Sequence, residues 1–242
     1  MPQAPGSPEY PTTQTDRMRG GRLPDRLTHQ VRPVLDALDE GWVCHVGFVS
    51  DGAPVVLPTL YGRRDDQLIL HGATGSRLYR MAEQGQRGVP VCLTVTLVDG
   101  LVIARSSFYH AVRYRSVVVH GNAYPVPVRA PAGELTKGEA LRVLLAHAVW
   151  GREGKLRPPT TEELAETGVL RIALNEATLK SYDGGPEKEE GEEIKDVWAG
   201  IVPVCEVYGT PRRADWVPDT VPTPDYLAHY RRPGQDPARC RA

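Results

Sequence analysis

Gln67-Leu68-Ile69-Leu70-His71-Gly72-Ala73-Thr74-Gly75-Ser76-Arg77-Leu78-Tyr79-Arg80-Met81-Ala82 is the stretch on which the fold turns. Leu68, Ile69 and Leu70 form a short apolar run behind the charged turn Arg63-Arg64-Asp65-Asp66, the pattern of a strand leaving a hairpin. A glycine-punctuated loop follows, and residues 76–84 take on helical character that stops at Gly85. A strand that runs through Gly-x-x-Gly-Ser-Arg into a helix leaves backbone N–H groups without partners and a positive dipole end aimed at one spot. A serine hydroxyl and a guanidinium beside them suit a phosphate group. The same residues also suit an ordinary turn in which Thr74 or Ser76 caps the helix and Arg77 lies on the surface.

Upstream, Thr28 is placed to cap a helix whose apolar positions Val31, Val34, Leu35 and Leu38 follow helical spacing, with Pro33 in its first turn and Gly41 at its end. Trp42-Val43-Cys44-His45-Val46-Gly47-Phe48-Val49 and Pro54-Val55-Val56-Leu57-Pro58-Thr59-Leu60-Tyr61 flank Ser50-Asp51-Gly52-Ala53, a strong hairpin signal. The strand through Leu70 is then the third of a meander. Downstream, residues 90–98 and 101–104 flank Asp99-Gly100, which predicts a second hairpin, and residues 114–124 read as another long strand. Pro58 and Pro125 confine their positions to edges or bulges. Residues 134–150 carry a helical stripe, Thr161 is a plausible cap for a short helix, and residues 169–174 and 178–182 alternate as closing strands. The compact apolar segment around Trp198 should pack against the body. Many short strands with few helices predict a mainly β domain, a barrel or sandwich.

Composition excludes several classes. The 242 residues are 40% hydrophobic and 24% charged, which suits a folded globular chain with a real core. A formal net charge of −1 argues against a nucleic-acid surface. No apolar run approaches bilayer-spanning length, and the first residues lack the pattern of a signal peptide. Four cysteines, Cys44, Cys92, Cys205 and Cys240, are widely spaced; Cys44 and Cys92 lie in apolar strands and read as buried thiols. No histidine has companions at metal-ligand spacing, so no metal site is expected. These features lead to the expectation of a cytoplasmic protein, with a flexible arm over residues 1–26, a domain over 27–209 and a proline-rich extension over 210–242.

Six pieces, in order, carry a resemblance. They are Trp42-Val43-Cys44-His45-Val46-Gly47, Pro58-Thr59-Leu60-Tyr61, Leu70-His71-Gly72-Ala73-Thr74-Gly75-Ser76-Arg77-Leu78, residues 95–102, Tyr114-Arg115-Ser116-Val117-Val118 and Val197-Trp198-Ala199-Gly200. Together they resemble the split-barrel flavin-binding proteins related to pyridoxamine 5′-phosphate oxidase, in the flavin-nucleotide-binding and nitroimidazole-resistance branch. The resemblance implies a six-stranded antiparallel split barrel that forms a homodimer with FMN in two clefts between subunits. It implies that Ser76 and Arg77 carry the phosphate and that Leu57, Pro58, Thr59 and Leu60 run along the isoalloxazine ring. Tyr114, Arg115, Ser116 and Trp198 are implied near the cleft, supplied by the same chain or by the partner subunit. Relatives of this fold also hold a deazaflavin or haem, so those remain alternative cofactors.

Among candidate chemical groups, His71 ends the third strand at the loop, where an imidazole titrating near neutrality suits proton delivery to a small acceptor such as a nitro compound or quinone. His110 precedes the long strand and could reach a small-molecule substrate at the rim, whereas His45 alternates with core positions and reads as a satisfied barrel residue. Trp198 is either a lid on the flavin or a plug in the core. The function implied is an FMN-dependent oxidoreductase, and the other reading is a carrier of flavin, deazaflavin or haem without turnover.

Overall fold

Two turns with positive φ set a three-stranded meander in the computed structural model, which describes residues 8–10, 17, 23–152, 154, 156–187, 196–228 and 230–232. Strand β2 (Val43–Ser50) buries Cys44, Val46 and Phe48 and exposes Val43, His45 and Val49, the alternation of a half-buried strand. Asp51 and Gly52 both take positive φ, as a two-residue hairpin matched to strand twist requires. The chain returns as β3 (Ala53–Arg64), turns at Asp65, and leaves as β4 (Gln67–Ala73). Leu68, Ile69 and Leu70 are all buried because both faces of β4 are covered. Leu68 and Leu70 join the main core, while Ile69 packs with Leu144 and Val169 in a second cluster.

Helix α1 (Val31–Glu40) and the short strand β1 (Leu27–Thr28) precede this meander, and α2 (Arg77–Gln84) follows it. The long strands β5 (Val89–Ile103) and β6 (Ala111–Pro125) come next, then α3 (Lys137–Ala148), α4 (Thr161–Glu166), β7 (Thr167–Ala173), β8 (Glu176–Tyr182), β9 (Gly200–Pro203) and α5 (Asp225–Ala228). Strands β2, β3, β4, β7, β6 and β5 pair in that order, and β5 pairs back to β2, closing a six-stranded antiparallel ring. β8 and β1 extend the sheet beyond β6, and β9 extends it beyond β5. Val91, Leu93, Val95, Val117, Val119 and Ile172 fill the interior together with Val34, Ala37 and Leu38 of α1. α3 lies outside the ring against β3, where Gly62 permits contact: a Cβ there would stand 3.0 Å from the Leu144 Cα. No helix among the described residues is long and apolar enough to cross a membrane.

Four local expectations change. The hairpin at Asp99-Gly100 does not form: both residues lie inside β5, at a register shift between Val98 and Gly100, and neither has positive φ. The extra residue is absorbed as a bulge that aims Asp99 at Arg115, and the chain reverses instead at residues 104–110. α1 starts at Val31 with Gln30 as its N-cap, and Thr28 accepts a hydrogen bond from the Gln30 N–H. α4 is capped by Thr160, not Thr161, in a reciprocal box with Glu163. Within the segment expected as a free arm, residues 8–10 are docked. Tyr10 is buried and its N–H donates to the His29 carbonyl at 2.8 Å, while the Val31 N–H donates to the Pro8 carbonyl.

Candidate functional site

The ring is split between β3 and β4. The two strands pair only from Tyr61↔Leu70 to Arg64↔Gln67. Beyond that point β3 keeps β2 on one side and β4 keeps β7 on one side, so their facing edges carry backbone groups outside the ladder. Leu57, Pro58, Thr59 and Leu60 line one edge, and His71, Gly72 and Ala73 line the other. An unpaired N–H and C=O row is a ready partner for a polar planar molecule or another strand. Pro58 sits in this edge stretch, as its missing N–H requires. His71 is exposed and pairs across the ladder with Val169.

The loop that closes the split is held at its start, where the Thr74 N–H donates to the Glu166 carbonyl at 3.1 Å. Ser76 is the N-cap residue of α2 but its side chain makes no capping bond, so the hydroxyl stays available. Arg77 is exposed and no hydrogen bond or ion pair engages it among the described residues. A Cβ at Gly75 would meet open space, and one at Gly72 only the Ser76 Oγ at 3.9 Å, so a ligand can approach this backbone closely. α2 is seated by Tyr79, whose ring lies so near Gly168 of β7 that a Cβ there would stand 2.6 Å from it.

The remaining expected residues lie on other elements of the chain. Tyr114, Arg115 and Ser116 are on β6, which is separated from β3 by β2 and β5. Arg115 forms a two-sided clamp: its Nη1 and Nη2 donate to both Glu40 oxygens, at 2.5 and 2.8 Å, and its Nε and Nη2 donate to Asp99 at 2.9 and 2.6 Å. Burial works against its charge, but the hydrogen bonds to Asp99 and Glu40 outweigh that and hold the guanidinium above its ordinary pKa. Ser116 shares a hydrogen bond with Thr96 across the ladder. His110 lies in the β5–β6 connection, its Nδ1 donating to the Ser106 carbonyl. Trp198 precedes β9 and is 63% exposed, so it is no core plug; the neighbouring Val197 carbonyl accepts from Arg105. His45 is exposed on the outer face of β2 rather than satisfied within the barrel.

Sequence reading missed several buried polar groups because each depends on partners distant in the chain. Tyr61 donates to the Leu38 carbonyl and packs its ring at a tilt against His147, whose Nε2 donates to the Gly41 carbonyl. Arg232, 3% exposed, donates to the Glu40 and Gly41 carbonyls and lies over Trp42, binding the end of the described chain to the C-terminus of α1. Near this knot a cavity of about 770 Å³ is lined by Arg32, Asp39, Arg63, His147 and Trp150. Arg63 and Asp39 pair there through two 2.6 Å bonds. Cys44 and Cys92 are free thiols, with burial pushing the Cys44 thiol up to about 12; Cys205 is disulfide-bonded.

The sequence model of the pyridoxamine 5′-phosphate oxidase family matches residues 31–181. No curated protein matches the sequence. Among solved structures, the FAD and haem binding protein from Mycobacterium smegmatis is 34% identical with a TM-score of 0.76, over 84% of this chain and 96% of that one. The flavocytochrome Anf3 from Azotobacter vinelandii is 31% identical with a TM-score of 0.79, over 93% of this chain and 99% of that one. A candidate 5-nitroimidazole antibiotic resistance protein from Bacteroides thetaiotaomicron, 19% identical, shares the fold with a TM-score of 0.51, over 64% of this chain and 85% of that one. The split ring and these matches agree: the chain belongs to the pyridoxamine 5′-phosphate oxidase family.

Proposed function

We propose that this chain binds a flavin nucleotide at the β3/β4 split and serves as an oxidoreductase for a small acceptor such as a nitro compound or quinone. One observation carries the reading: the split sets a free strand edge opposite a loop whose Ser76 hydroxyl and Arg77 guanidinium are uncommitted. Ser76, Arg77 and the α2 N-terminus hold the phosphate that FMN and FAD share. The edge of Leu57, Pro58, Thr59 and Leu60 offers backbone groups to the ring, and His71 stands at the opposite edge to hold or deliver a proton. A bound flavin supplies the electron transfer, and the protein supplies binding, orientation and protons.

Haem is the second group to consider, because the FAD and haem binding protein and the flavocytochrome are both more than 30% identical to this chain. The exposed imidazoles of His45, His71 and His110 meet the donor chemistry that haem iron requires.

The active form is a homodimer. Val112, Leu101 and Val202 lie side by side across β6, β5 and β9 and are all 40–45% exposed, with Phe108 at 80% beyond them. An apolar row of this kind suits burial against a second copy, which would bring His110 and Trp198 to the partner's split, with Tyr114 and Ser116 behind them. Arg115 then fixes the strand that carries Tyr114 and Ser116. The test is the absorption spectrum and mass of the cofactor that co-purifies or reconstitutes. An oxidised-flavin spectrum is expected, alone or with a Soret band. A protein that takes up neither FMN nor FAD overturns the reading, and a bound flavin that no nicotinamide donor reduces overturns the oxidoreductase part.

A further inference from the structure

Lys137 is 4% exposed, an unusual place for an ammonium. It is the first residue of α3, where the helix dipole disfavours a cation, and no carboxylate lies within ion-pair distance among the described residues. Burial lowers its pKa, with Glu83 opposing at longer range. An apolar side chain would fill this position at smaller cost, so the contacts the ammonium makes are informative. Nζ donates to the Leu164 carbonyl at 2.9 Å, in the last turn of α4, and stands 6.0 Å from the Tyr79 ring centroid.

Both contacts lead to the same loop. α4 ends in Glu166, whose carbonyl accepts from the Thr74 N–H. Tyr79 lies one turn after Ser76 and rests on Gly168, which pairs with Gly72 at the loop's start. One buried charge therefore bonds the helix that ends in the partner of Thr74 and lies 6.0 Å from the Tyr79 ring at the other end of the segment.

We infer that Lys137 is a positioning residue for the phosphate-binding loop, holding α4 and α2 in the spacing that lets Ser76 and Arg77 face one anion. The inference rests on the flavin-nucleotide reading above. Its test compares wild type with Lys137→Met and Lys137→Arg by hydrogen exchange on cofactor-free protein and by titration with FMN and riboflavin, which lacks the phosphate. In Lys137→Met the Thr74 amide exchanges about tenfold faster and FMN affinity falls about tenfold, the loss of roughly one hydrogen bond to a charged group, while riboflavin affinity holds. Lys137→Arg restores part of both. Leu144→Ala, a cavity on the same helix, lowers stability without changing the FMN-to-riboflavin ratio. Unchanged Thr74 protection, or an equal loss for FMN and riboflavin in Lys137→Met, overturns the inference. Wild type that binds no flavin overturns the proposed function instead, and the exchange data then still decide whether Lys137 holds the loop.

Discussion

At the scale of single residues, exposure separates side chains free to meet a ligand from those that hold the fold. Arg77 is exposed and unengaged, so removing it costs the fold nothing it uses. Arg77→Ala is expected to weaken FMN binding by roughly ten- to hundredfold, the worth of a charge-assisted hydrogen bond, with an unchanged melting temperature; fluorescence titration and calorimetry check the pair. His147 is the opposite case. Burial lowers its pKa, helped by the nearby Arg232 and Arg63, while the Gly41 carbonyl and Asp39 oppose the shift. A histidine with a depressed folded pKa takes its proton first in the unfolded chain. Its contribution is therefore full above about pH 6.5 and is lost as pH falls from there toward the folded pKa. His120, also lowered by burial, adds in the same direction. His147→Gln keeps a donor for the Gly41 carbonyl and should flatten the fall in melting temperature between neutral pH and about pH 5.

At the scale of elements, the Arg115 clamp ties the C-terminus of α1, through Glu40, to the paired strands β5 and β6, taking the β5 bulge through Asp99. The bulge and the clamp explain each other, since the extra residue in β5 turns a carboxylate toward the guanidinium. Arg115→Ala removes the guanidinium that two part-buried carboxylates share and is expected to cost about 3 kcal/mol in urea unfolding, the lower end for a broken buried pair because Asp99 is partly solvated. Asp99→Asn should cost less, because Glu40 still pairs with Arg115. The seat of α2 is equally local. Gly168→Ala forces a methyl into the Tyr79 ring and is expected to cost about 1–3 kcal/mol while lowering FMN affinity more than riboflavin affinity.

At the scale of the whole molecule, one sheet carries the split at one side and the arm of β5, β6 and β9 at the other. In the proposed symmetric dimer, His110 and Trp198 come to the split from the partner chain. Leu101→Lys places a charge in the centre of the exposed row without touching the core. Sedimentation velocity should show a monomer for that variant against a dimer for wild type, with flavin binding lost alongside. A dimeric Leu101→Lys would move the interface elsewhere on the molecule.

Much of this was legible in the order of residues, for a physical reason. Strand alternation, the Asp51-Gly52 turn and the Gly-x-x-Gly-Ser-Arg loop depend on neighbours within a few positions, so side-chain type alone specifies them. Those signals determined the meander and the candidate anion loop, and their sequence carried the family resemblance. Asp99-Gly100 reads locally like a turn, and only the pairing of β5 with β6, and Arg115 across it, makes it a bulge. His45 alternates like a core residue, but the ring's closure sets which face is inside. The ties of Arg115 to Glu40, Lys137 to Leu164 and Arg232 to Gly41 span 75, 27 and 191 positions of the chain. Local sequence carries no signal at such separations, because these contacts exist only once the barrel has brought the helix ends together.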